Sequence, residues 1–286
     1  KKREQLAGPL REAIVDGKRP GLLLDFDDEY YLANGGKKSF DEVINFTRDG
    51  NATMVASDGL IKWAPHNLVT YSSEFDNAAW DKNTGPDYYV TADDTTAPDD
   101  TVTADKLTAL TSSGSLFQSV TLTTAAHSFS FYVKYSNHDW FRIGYIGSAS
   151  NAAWFNVQTG AKGTVVGAGN TSEIEPLTNG WYRVTLNLAT ASASAQNAFI
   201  SLSSGDGAVG GASSGDSIYI WGAHLYRSDL GGMAPVPAGE RSFPSASTYV
   251  PTTSAARYLP RVGHHVYNGS AWVNEGVLAE SEARTN

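Results

Sequence analysis

From Asn67 to Tyr226 the chain alternates apolar and polar residues in short runs, each stopped by Gly, Asn, Asp or Ser. A period of two marks a half-buried β-strand, because successive side chains point to opposite faces. The runs read "DYYVTA", "VTADKLTAL", "SLFQSVTL", "HSFSFYVKY", "WFRIGYIG", "AAWFNVQTG", "GWYRVTLNL", "NAFISLSS" and "SIYIWGAHLY". Such regular spacing predicts an all-β, antiparallel sandwich or barrel. In "HSFSFYVKY", Phe129, Phe131 and Val133 form a dry face, and Ser130, Tyr132 and Lys134 a wetter one. In "SIYIWGAHLY", Ile218 and Ile220 alternate with Tyr219 and Trp221, so both faces are apolar. A strand of that kind is central or covered on both sides, which makes Trp221 core rather than a ligand platform.

The flanks read differently. Residues 1–66 form a leader: a short helix over "GPLREAIVDGKRPG", with Pro9 in its first turn, then strands turning at Asn34-Gly35 and Asp58-Gly59. "SFDEVINFTR" predicts a helical turn, with Ser39 as cap and Glu42 three residues on. Residues 67–228 are the sandwich. Residues 229–260 are proline-rich, lack either period and predict an extended segment that needs an outside surface, such as a neighbouring copy, to order it. Residues 261–286 predict a hairpin with its turn at Asn268-Gly269.

Composition narrows the partners. The 286 residues carry a formal net charge of −9, which disfavours nucleic acid, since phosphate binding needs a basic face. No apolar run approaches the length of a membrane-spanning helix. There is no cysteine, hence no disulfide and no thiolate metal site.

Six phrases in order resemble a module of bacteriophage tail and tail-fibre proteins: "HNLVTYSSEFDNAAW", "APDDTVTADKL", "HSFSFYVKY", "NGWYRVTL", "IYIWGAHLY" and "STYVPTT". The resemblance implies a jelly-roll sandwich similar to carbohydrate-binding modules, displayed on a virion and without catalytic residues. It implies a host-surface glycan and other virion proteins as partners, and a homo-oligomer such as a trimer. The long proline-rich spacer before "STYVPTT" departs from the pattern. The closing "EARTN" is similar to the opening of the same phrase, which implies a further module downstream.

Two clusters carry candidate chemistry. Asp93, Asp94, Asp99, Asp100 and Asp105 lie in "TADDTTAPDDTVTAD", where hard oxygen ligands suit Ca²⁺, although the spacing is not that of an EF-hand. A polar turn started by Pro98-Asp99 explains the same residues. Trp140, Tyr145 and Trp154 lie on neighbouring strands, where aromatic faces suit sugar rings unless they pack in the core. Asn137, His138, Asp139, Arg142, Asn151 and Asn156 supply hydroxyl-binding groups beside them. Trp140 shares a face with Arg142, which makes it the leading platform residue. Trp181, Tyr182 and Arg183 read as structural, and adjacent His264 and His265 point to opposite faces and chelate poorly. Glu173 and Glu175 share a strand face, but no other feature marks a glycoside-cleaving pair. GxSxG, HExxH and P-loop motifs are absent from the sequence.

Overall fold

The computed structural model describes residues 21–26, 30–82, 87–146, 151–191, 193–237, 240–243 and 245–278. The helix expected over residues 8–17 and the closing "EARTN" phrase lie outside them. In chain order the elements are β1 (Leu22–Asp25), β2 (Tyr30–Ala33), β3 (Gly36–Lys38), α1 (Phe40–Val43), β4 (Thr53–Val55), β5 (Ile61–Trp63) and β6 (His66–Asn67). Next come β7 (Tyr88–Thr96), β8 (Val102–Ala109), β9 (Leu116–Thr121), β10 (His127–Tyr135), β11 (Trp140–Ile146) and β12 (Asn151–Asn156). Then follow β13 (Ala161–Val166), β14 (Thr171–Pro176), β15 (Trp181–Leu188), β16 (Ala195–Leu202) and β17 (Ser217–Arg227). The last three are β18 (Arg257–Tyr258), β19 (His265–Tyr267) and β20 (Trp272–Asn274). Among the described residues no helix is long and apolar enough to cross a membrane.

The protein is all-β and antiparallel, and its chain divides into two units. One takes in His66–Gly232 and Tyr249–Arg257. It contains a six-stranded sheet, β14-β15-β10-β17-β8-β7, and a five-stranded sheet, β13-β12-β11-β16-β9. Phe129, Phe131 and Val133 of the first and Phe141, Ile143 and Phe155 of the second enter one shared core and are fully buried. β17 is central, paired with β10 on one side and β8 on the other.

The wetter face of β10 is not wet. Ser130 and Tyr132 are buried, and Trp221 is buried with them. Tyr249 lies over this outer face, with its ring centre 5.0 Å from that of Trp221 and 5.7 Å from that of Tyr132. Part of the proline-rich segment, around Tyr249–Thr252, therefore lies on a surface of its own chain. Thr252 N donates to Ser72 Oγ, Thr252 Oγ1 donates to the Val69 carbonyl, and Val236 N donates to the Ser247 carbonyl.

Asn67 pins the start of this unit. Its Nδ2 donates to the carbonyls of Ala223 and Val250 at 3.0 and 2.8 Å, and its Oδ1 accepts from Val69 N and Leu225 N at 3.2 and 3.0 Å. A buried amide with both ends saturated fixes three chain segments at once. At Gly222 the β10–β17 register slips. Its φ of +62° and the Tyr132 ring 2.7 Å from where a Cβ would stand both require glycine.

The second unit draws on three stretches: the described residues up to Pro65, Met233–Thr248, and those from Tyr258 onward. The leader and the C-terminal hairpin, separate in the sequence reading, therefore build one body. Tyr31 and Phe40 share a small core with Val262, backed by Phe26, Ile44 and Val277. Alternation along the chain reports local faces only and gives no sign of so distant a pairing. Asn34 and Gly35, at φ +51° and +79°, make the expected two-residue hairpin loop between β2 and β3. Glu42 Oε2 reaches back to Ser39 N at 2.7 Å, giving the expected cap on α1.

Candidate functional site

The strand register sets the outer face of the five-stranded sheet. Arg142 stands opposite Trp154 on β12 and Ser201 on β16, and Trp140 stands opposite Asn156. Partners in register point the same way, so Trp140, Arg142 and Trp154 do share one face, joined by Phe199 and Phe117. The Arg142 guanidinium lies 4.9 Å from the centre of the Phe199 ring and 5.7 Å from that of Trp154. These are cation–π distances. Burial holds the guanidinium below its ordinary pKa, and among the described residues Nε has no hydrogen-bond partner.

Trp154 is not an open ring. It is 4% exposed, and its Nε1 donates to the Ala208 carbonyl at 2.7 Å. The loop after β16 thus closes over it, and Trp154 forms the floor beneath Arg142. Tyr145 points the other way, into the core. Trp140 stays half-buried at the rim. Its ring edge and the Asp206 carboxylate both lie against Gly163 on β13, where any side chain would collide with them. Asp206, exposed, is anchored by Thr164, whose N donates to Oδ1 at 2.6 Å and whose Oγ1 donates to Oδ2 at 3.2 Å.

The polar residues before Trp140 are held by the chain itself. Asn137 Oδ1 accepts from Ser217 N at 2.6 Å, and its Nδ2 donates to the Gly215 carbonyl. His138 sits between Asp216 and the Ser203 carbonyl. Asp139 Oδ2 accepts from Asn156 Nδ2 at 3.1 Å. Asn151 accepts from Asn170 at the far end of β12. Asn137 and His138 therefore brace the corner that carries Trp140, and Asp139 and Asn156 line it.

The five aspartates do not converge. Asp93 and Asp94 occupy an irregularity in β7, with Asp93 at φ +52°. Asp99 Oδ1 accepts from Thr101 N and Oγ1, which makes the expected polar turn before β8. Asp105 is buried and holds two segments together. Its Oδ2 accepts from Phe75 N at 2.8 Å and its Oδ1 from Asp93 N at 3.0 Å. Desolvation pushes its pKa up to about 6 against the pull of those two bonds. Among the described residues, no three His, Asp or Glu side chains form a group able to hold a metal ion.

The remaining candidates are structural in placement. Trp181 is buried and donates to the Thr96 carbonyl. His264 accepts from Val55 N, and His265 meets the Gly263 carbonyl. Glu173 and Glu175 are exposed on the edge strand β14, with Glu175 3.8 Å from Arg183. Sequence reasoning missed Asp206 and Phe199, which reach the rim from a loop and a strand far along the chain.

The fold and this rim define an antiparallel all-β protein with an aromatic, acid-edged corner on one sheet face. No family model matches the chain, and no curated protein matches it significantly.

Proposed function

We propose that the two-sheet unit is a jelly-roll carbohydrate-binding module of a bacteriophage tail or fibre protein, acting without catalysis on host-surface glycan. The carrying observation is Trp140, half-buried, with its ring edge and the Asp206 carboxylate both against Gly163. An aromatic face takes the apolar side of a pyranose ring, and a carboxylate beside it takes hydroxyl donors. The arrangement of Asn137 and His138 favours a second reading, a purely structural virion part, because their hydrogen-bonding groups already serve the chain. An array of bacterial surface polysaccharides separates the two. Binding that is lost in Trp140→Ala and Asp206→Ala, with melting temperature retained, supports recognition at this rim. Binding unaffected by both, or absent throughout, overturns it.

A further inference from the structure

The β19–β20 hairpin ends in a turn built around one amide. Tyr267 pairs with Trp272, and Asn268 N donates to the Ala271 carbonyl. The Asn268 side-chain oxygen accepts from Ser270 N at 3.0 Å, Ser270 Oγ at 2.9 Å and Ala271 N at 3.0 Å. Three donors converge on a carbonyl whose carbon is followed in the chain by glycine. Asn34 and Asn179 also precede glycine and are also exposed, but among the described residues neither side-chain oxygen is bonded in this way.

We propose that Asn268 is a site of spontaneous covalent modification, its amide activated by this cradle. The Gly269 backbone nitrogen gives its proton to solvent base and attacks Cγ of Asn268. Negative charge then develops on the oxygen that the three donors face, as in an oxyanion hole. The new N–Cγ bond closes a five-membered imide as the Cγ–Nδ2 bond breaks, and the nitrogen leaves as ammonia with a proton taken from water. Water opens the imide at either carbonyl, giving Asp or isoAsp. Gly269 presents no side chain to hinder ring closure. Either product places a carboxylate beside the exposed pair Tyr267 and Trp272, and isoAsp adds a backbone methylene that breaks the Tyr267–Trp272 register.

The test is incubation of the whole protein at rising pH, with peptide mass spectrometry of all three Asn-Gly sites and fragmentation that separates isoAsp from Asp. Asn268 converts first, at a rate that climbs with pH. Asn34 and Asn179 lag by about threefold or more, a smaller factor than a buried oxyanion donor gives because this turn is wet. Ser270→Ala, which removes one donor from an exposed tip, slows Asn268 and leaves the other two sites unchanged. Equal rates at the three sites, or Asn268 the slowest because its amide is held immobile, overturns the proposal. So does an unaltered rate in Ser270→Ala.

Discussion

Replacing Asn67 with alanine strands four buried backbone groups: the N–H groups of Val69 and Leu225 and the carbonyls of Ala223 and Val250. A hydrogen bond contributes about 1 kcal/mol net, and a buried group left unpaired costs roughly 1–3 kcal/mol. Some of the loss is recovered if water enters the space the amide leaves. The expected destabilisation is therefore about 4 kcal/mol, or roughly 8–16 °C in melting temperature for a domain of this size. Asn67→Asp tests the polarity of the site separately. It keeps the acceptor for Val69 and Leu225 but turns an oxygen toward two carbonyl oxygens. Burial and that repulsion raise the carboxyl pKa above its unfolded value, so the folded state takes up the proton first. The aspartate variant should therefore regain stability as pH falls, by more than the wild type does, whereas the alanine variant should not. Urea unfolding followed by near-ultraviolet circular dichroism at neutral and mildly acidic pH measures both. An alanine cost under about 1 kcal/mol, below that of a single unpaired group, refutes the pinning role. An aspartate variant with the wild-type pH response refutes the electrostatic argument.

Three further outcomes follow from the same structure. Asp105, raised from 3.8 to about 6, makes the native state bind the extra proton between those values, so its contribution to stability grows as pH falls through about 6. The gain is about 3 kcal/mol, and Asp105→Asn should flatten that part of the stability–pH curve; an unchanged slope contradicts the assignment. Gly222→Ala should cost about 3 kcal/mol through its left-handed backbone and the Tyr132 ring, read as a drop in urea midpoint, and a cost below half of that shows the ring yields freely. Calcium or chelator should leave the melting temperature unchanged, because Asp99 and Asp105 serve backbone donors; a rise with calcium restores the metal reading.

Much of the two-sheet unit was legible because its strands carry their own period. Phe129, Phe131 and Val133 enter the core as their alternation demands. The same alternation put Trp140 and Arg142 on one face, where register places them. The reading failed wherever a distant segment covers a face. Ser130 and Tyr132 look wet until Tyr249 lies over that face, and Trp154 looks open until Ala208 caps it. Asn67 stands out in the sequence only as part of a phrase, since partners spread across the unit leave no local pattern. The aspartate run was ambiguous by composition alone. What separates turn from metal loop is where the oxygens point, and that depends on Phe75 N and Asp93 N reaching Asp105.

The sharing of one small core by Phe40 and Val262 sets a schedule for biosynthesis. At about 5–20 residues per second, a ribosome that has just made Phe40 needs roughly ten to forty seconds to reach its partner. The whole two-sheet body is synthesised in that interval while the earlier segment waits. Order of synthesis and order of completion are thus reversed: strands made before the two-sheet body are completed after it. During the delay Tyr31 and Phe40 have only their near neighbours such as Phe26 and Ile44 for cover and lack Val262 and Val277, so a translational stall in the middle of the message leaves a partly open apolar cluster.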